Sequence, residues 1–98
     1  MSVLAELSIF PLGQGLSLSP YVARAVEVIK GSGLNYTLGA MGTSFEGDWE
    51  TVMSVVDRCY QELSRDCDRI YLVLKIDAAK GRDDLLDTKV ESVRQKLP

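Results

Sequence analysis

The sequence contains no histidine. That removes the commonest general base, the Ser–His and Cys–His nucleophile pairs, and most zinc and copper sites. Cysteine is scarce: only Cys59 and Cys67 occur, and their spacing is not Cys-x-x-Cys. An excess of positive charge is also missing, since 11 Lys+Arg against 14 Asp+Glu leave a net charge of −3. The basic footprint of a nucleic-acid or anionic-membrane binder is therefore absent. No apolar run approaches the roughly 18 residues of a bilayer span. The start Met1-Ser2-Val3-Leu4-Ala5-Glu6 lacks a basic leader region, and Glu6 interrupts any leader core. The expectation is a cytoplasmic protein with no nucleic-acid or membrane partner and no metal.

What is present is an ordinary globular composition, 46% hydrophobic and 26% charged over 98 residues. That length is one domain, residues 1–98. Val3–Phe10 alternates with period two: Val3, Ala5, Leu7 and Ile9 on one face, Leu4, Glu6, Ser8 and Phe10 on the other. This predicts a strand, ended by Pro11-Leu12-Gly13-Gln14-Gly15. Ser19-Pro20 predicts a helix start with Ser19 as the cap, and Val22, Ala25, Val26 and Ile29 supply its apolar stripe. Gly31 or Gly33 ends it in the left-handed conformation. Asn35–Leu38 and Thr43–Glu46 read as a hairpin turned at Gly39-Ala40-Met41-Gly42. Asp48 caps a second helix with a stripe of Val52, Val56, Cys59, Tyr60 and Leu63, while Cys67 falls in a polar, partly exposed turn. Trp49, in the first turn, is expected to be partly buried in the core or an interface. Ile70–Ile76 alternates as a strand, and a last helix follows with Leu86, Val90, Val93 and Leu97 as its stripe.

The order β-α-β-β-α-β is the split βαβ pattern of a ferredoxin-like α+β sandwich, here with an extra C-terminal helix. Right-handed crossovers put the first and third strands side by side in a four-stranded antiparallel sheet, with helices on one face. The other face then carries Leu4, Glu6, Ser8, Phe10, Asn35, Thr37, Ser44, Glu46, Tyr71, Val73, Lys75 and Asp77. Aromatic and apolar residues among hydrogen-bonding groups predict that another subunit covers part of it. Glu6 and Glu46 are near neighbours on that face. A covered carboxylate needs a donor. Lys75 and water supply one, and so does a ligand with an amino group beside a ring nitrogen. Gly13-Gln14-Gly15 before a helix lacks the P-loop and dinucleotide patterns, so phosphate is not expected there.

Several segments occur in one order: Pro11-Leu12-Gly13-Gln14-Gly15, Ser17, Ser19, Tyr21-Val22-Ala23, Ser32-Gly33-Leu34-Asn35-Tyr36, Met41-Gly42-Thr43 and Glu46-Gly47. With Ile76-Asp77, Lys89-Val90 and Val93 they make the chain resemble the small thiamine-binding protein family across essentially its whole length. The resemblance implies the same ferredoxin-like fold with an extra helix, assembled as dimers and commonly as a dimer of dimers. It implies binding of thiamine or its hydroxymethylpyrimidine half, with no enzymatic activity and no cofactor beyond that ligand. Thr43, Glu46, Gly47, Asn35 and Tyr36 are the positions carried over from its motifs. Glu6, Ser8 and Ser44 are added by the face they share. The arginine that similar chains carry two residues after Ile-Asp is Ala79 here, with Lys80 beside it.

The expected ligand-binding set is therefore Glu6, Ser8, Asn35, Tyr36, Thr43, Ser44 and Glu46, with no catalytic residue. An aminopyrimidine ring is held by stacking and by a carboxylate or hydroxyl reading its edge. A different reading of the same architecture is a regulatory oligomer with another small effector, such as an amino acid, and fold alone does not separate the two. An RNA-recognition module is disfavoured by the acid in Thr43-Ser44-Phe45-Glu46, and an acylphosphatase-like hydrolase by the lack of arginine in Pro11–Gly15.

Overall fold

A computed structural model describes residues 2–98. The elements are β1 (Val3–Pro11), α1 (Ser19–Gly31), β2 (Asn35–Leu38), β3 (Thr43–Gly47), α2 (Trp49–Ser64), β4 (Ile70–Asp77) and α3 (Leu85–Arg94). All strand pairs are antiparallel, in the order β2-β3-β1-β4. This is the ferredoxin-like α+β arrangement expected from the element order, with β1 and β3 central.

The alternation of β1 decides which face is the core. Val3, Ala5, Leu7 and Ile9 are all 5% exposed or less, and Phe45 of β3 joins them fully buried. From α1, Ala25 and Ile29 close on this face; from α2, Val52, Val55, Val56, Cys59 and Leu63 do so. Val55 replaces the expected Tyr60, which is exposed. Burying Val52, Val55, Val56, Cys59 and Leu63 at helical spacing puts position 60 about 80° from the middle of the stripe, at its outer edge. Trp49 is 54% exposed, so it is no core residue.

Local signals set the helix ends. Asp48 is extended and accepts from the Thr51 N–H at 2.8 Å, which holds its carboxyl below the usual carboxylate range. At α1 the cap lies one residue earlier than expected. The Leu18 carbonyl takes the N–H groups of both Tyr21 and Val22, so Ser19 is already inside the helix. Gly33 takes the left-handed conformation, with φ of 79°. Arg24 ties α1 to the end of α2. Its guanidinium donates to Glu62 Oε2 at 3.0 Å, to the Glu62 carbonyl at 2.7 Å and to both oxygens of Asp66.

Two expectations are corrected. Cys67 is buried, because the turn after α2 folds back on the core, its N–H bonding the Leu63 carbonyl. Burial pushes both thiols up, Cys59 to about 11. The second correction concerns α3, which crosses to the other face of the sheet. Only Leu85 and Leu86 of α3 are buried; Val90, Val93 and Leu97, expected as its buried stripe, are 49–64% exposed.

Candidate functional site

The register divides the face away from α1 and α2 into four rows. Asn35, Glu46, Leu4 and Asp77 form the first, and Thr37, Ser44, Glu6 and Lys75 the second. Beyond these β3 has ended and only β1 and β4 continue, as Ser8–Val73 and then Phe10–Tyr71. Rows follow one another at about 6.6 Å, two residues of strand rise.

The first row lies beneath α3. Glu46 is 8% exposed and accepts from the N–H groups of Leu85 at 2.8 Å and Leu86 at 3.2 Å. A carboxylate thus caps the helix from the neighbouring strand, in place of a local cap. Asp84, at the cap position, is left-handed (φ 56°) and makes no side-chain cap bond. The Ser2 hydroxyl lies 2.9 Å from Glu46 and 3.0 Å from Asp83, donating to one at a time. The Ser2 N–H donates to Asp83 at 2.9 Å and holds that carboxyl below its usual range. Asn35 reaches Asp87 at 3.4 Å, and Lys89 pairs with Asp77, lowering the aspartate in the same way.

The second row is polar throughout. Glu6 pairs with Lys75 at 3.0 Å, the two side chains being 43% and 73% exposed. An ion pair this open contributes little and yields to a better partner. A cavity of about 320 Å³ runs between this row and α3, bounded by Glu6, Ser44, Lys75, Asp77 and Lys89. At the far end the Phe10 and Tyr71 rings stack, with centroids 5.5 Å apart and planes at 17°. Phe10 lies four residues along β1 from Glu6, about 13 Å away.

The seven expected residues do not meet in one place. Glu6, Ser8 and Ser44 share the open part of this face. Asn35 and Glu46 sit in the row under α3, with Glu46 engaged in holding that helix. Tyr36 and Thr43 turn to the opposite side, Tyr36 against the core and Thr43 3% exposed beside a cavity. Thr37, Lys75, Phe10 and Tyr71 belong with Glu6 but lay outside the expected set. The alternation that placed Glu6 places them too.

Much of the motif pattern is explained by close backbone approach. A Cβ on Gly42 would lie 3.2 Å from Glu6 Cγ and 3.3 Å from the Leu7 carbonyl oxygen. A Cβ on Gly47 would lie 2.9 Å from Leu34 Cδ2, so the Ser-Gly-Leu and Glu-Gly segments meet there.

Comparison with known proteins gives the family and the same fold. A family model described as thiamine-binding protein matches residues 5–94. A UPF0045 protein of Methanothermobacter thermautotrophicus is 41% identical over 98 residues, spanning 97% of this chain and 99% of that one. A crystal structure from Methanocaldococcus jannaschii superposes with a TM-score of 0.89 at 36% identity, covering 96% of this chain and 97% of the other. Another, from Thermotoga maritima and assigned provisionally to thiamine biosynthesis or salvage, gives 0.86 at 28% identity, covering 96% and 100%.

Proposed function

The chain belongs to the thiamine-binding protein family, and from that premise we propose that it binds thiamine, or its hydroxymethylpyrimidine half, on the open face of the sheet without chemically changing it. One observation carries the reading. Of the three carboxylates on that face, Glu46 and Asp77 are tied to α3, the first by backbone N–H groups and the second by Lys89, whereas Glu6 bonds nothing in α3 and pairs only with the exposed Lys75 of the neighbouring strand. Glu6 faces a floor of Ser44, Thr37 and Ser8 hydroxyls, with the Phe10–Tyr71 stack beyond.

The ligand chemistry fits these groups. A carboxylate accepts from an exocyclic amine beside a ring nitrogen and neutralises a cationic thiazolium. Hydroxyls read the remaining edge, and an aromatic face stacks a heterocycle. Nothing in this set pairs a nucleophile with a base, so binding is the whole activity. A second copy of the chain closes the groove from above. Tyr71, Val73 and the outer stripe of α3 (Val90, Val93, Leu97) remain exposed and supply an apolar contact surface on either side of the polar floor. Pairing these surfaces in two directions gives a dimer of dimers.

Calorimetric titration with thiamine tests the reading, with hydroxymethylpyrimidine and a mixture of amino acids as comparisons. The expected result is saturable heat from thiamine or the pyrimidine and none from amino acids. Glu6→Gln is expected to weaken binding about tenfold. No heat from either compound, on protein that unfolds cooperatively, overturns the proposal. Heat from amino acids alone favours an effector-binding regulatory protein. Light scattering on the same sample is expected to give a multiple of the chain mass, and a monomer removes the second copy from the groove.

A further inference from the structure

We infer that the free edge of β4 is a contact between two copies of this chain, which pair antiparallel along it and join their four-stranded sheets into one. The two edges of the sheet are unlike. β2 offers four residues, whereas β4 offers eight, Ile70–Asp77, opposed to β1 without a break. β4 contains no proline and no glycine, and Tyr71, Leu72 and Val73 in it are 36–52% exposed. A long, unbulged, apolar edge is a template for another strand, and chains that stay single interrupt such edges.

The direction of the main-chain groups shows what this edge presents. The Leu12 N–H donates to the Arg69 carbonyl at 2.9 Å, one step beyond the Pro11–Ile70 pair. Arg69 therefore turns its main-chain groups toward β1, and by alternation so do Tyr71, Val73, Lys75 and Asp77. Ile70, Leu72, Leu74 and Ile76 turn theirs outward, where no strand of this chain pairs with them.

Self-complementarity identifies the partner strand as a second β4. A twofold axis at Val73 opposes Leu72 to Leu74 and Ile70 to Ile76, so the outward groups of each copy exchange hydrogen bonds. The same axis opposes Arg69 to Asp77, an ion pair, and Tyr71 to Lys75, a cation beside a ring. An axis between two residues would set core-face side chains against open-face ones. Moving the axis to Leu72 opposes Arg69 to Lys75, two cations. Moving it to Leu74 opposes Asp77 to Tyr71 and leaves Arg69 against Ala79. Of the three, the Val73 axis alone matches charge and apolar character at every position. The contact lies in the plane of the sheet, so it leaves the open face to the copy proposed above it and does not rest on the thiamine reading. It also brings Tyr71 of the partner subunit beside Lys75, the residue paired with Glu6; the use of that ring as a groove wall does rest on the reading.

Amide hydrogen exchange on the whole chain is the test, at a concentration where light scattering shows an oligomer. The outward N–H groups of Leu72 and Leu74 are expected to exchange as slowly as the inward ones of Val73 and Lys75. Val73→Cys is expected to cross-link two copies on mild oxidation, because opposed residues of a non-hydrogen-bonded pair hold their Cα atoms about 4.5 Å apart. Lys75→Cys, four residues from its own copy across the axis, is expected not to. Cys59 and Cys67 are buried and stay out of this reaction. Leu72→Pro removes an outward N–H, leaves the β1 ladder intact and is expected to halve the particle mass. Should it fail to fold, Leu72→Lys is expected to have the same effect. Fast exchange at Leu72 and Leu74 within an oligomer, an unchanged mass in the folded variant, or a monomeric unsubstituted chain overturns the inference. Cross-linking through Lys75→Cys in place of Val73→Cys overturns the register.

Discussion

The two faces of this sheet are built from the same strands and are used in opposite ways. Toward α1 and α2, β1 presents Val3, Ala5, Leu7 and Ile9, all 5% exposed or less. One residue along in each case, Leu4, Glu6, Ser8 and Phe10 are only half-buried. The first face is packed by two helices that touch it along their length. The second is covered at one end by the first turn of α3 and is open elsewhere. The core face is thus fixed by apolar burial and the open face by a few directed polar contacts. Stability resides mainly in the first, and binding chemistry is available mainly on the second.

The largest expected difference lies between two phenylalanines on opposite faces. Phe45→Ala is expected to cost about 3–5 kcal/mol, because its ring is fully buried among well-packed neighbours. Phe10→Ala, on the half-open face, is expected to cost about 1–2 kcal/mol, the stacking with Tyr71 plus partial burial. Urea unfolding of the two variants measures this. Equal costs would break the division between a structural and a binding face.

Glu46→Ala comes next. It strips the acceptor from two buried N–H groups and from the Ser2 hydroxyl, and about 2–3 kcal/mol is the expected loss. The loss is local. Hydrogen exchange should quicken at Leu85 and Leu86 while β1 amides keep their protection. Uniform loss across the sheet would mean that α3 is integral to the core.

The same contrast explains what was legible in the residues. The order of elements, the central pairing of β1 with β3 and the inward set of β1 follow from period-two alternation and the crossover rule, and all stand in the structure. Gly33 and Asp48 were readable because turns and caps have local chemistry. The end of α3 was not readable in this way. Its spacing of Leu86, Val90, Val93 and Leu97 is that of a buried stripe, but periodicity does not say whether the burying surface belongs to the same chain. Glu46 was legible as a residue on the open face but not as a helix cap, since its partners lie 39 and 40 residues away. Thr43 was selected through a motif, and its side of the sheet followed from alternation. The cavity beside it depends on where β3 stops relative to β1, which is a matter of register. Cys67 looked exposed because its neighbours in sequence are charged, whereas the turn returns it to the core.

A smaller effect is expected at Gly42, where the two faces nearly meet. Its added Cβ would press on Glu6 Cγ and the Leu7 carbonyl oxygen at 3.2 and 3.3 Å, distances a few tenths of an ångström short of comfortable contact. Backbone conformation is not the obstacle, since Gly42 is not among the positive-φ glycines. Gly42→Ala is therefore expected to cost about 1 kcal/mol of stability and to displace the Glu6 carboxylate from its place beside Ser44. The measurement is thiamine affinity against unfolding free energy. A drop in affinity larger than the drop in stability supports the Glu6 groove; unchanged affinity argues that Glu6 tolerates displacement and is not the anchoring carboxylate.

The smallest expected effect is that of acid, and it separates the two faces without any substitution. Asp77 and Asp83 both help hold α3 to the sheet. The Lys89 ammonium bonds to and attracts Asp77, and the Ser2 N–H donates to Asp83; each carboxyl is thereby held below its ordinary 3.8. A lowered carboxyl contributes stability that is present above the ordinary value and is lost as pH falls through the native one. The hold on α3 is then constant from neutral pH down to about 4 and weakens below it. The helices on the core face carry lowered carboxyls too, Asp48 at the start of α2 and Asp66 beside Arg24, but that face is held mainly by apolar burial that acid leaves in place, so acid should loosen α3 before it unfolds β1. Methyl NMR signals of Val90 and Val93 followed from pH 7 to about 3, beside those of Leu7 and Ile9, check the order. Simultaneous loss of all four would show that α3 and the core face unfold as a single unit, and that the division drawn between the faces is one of composition only.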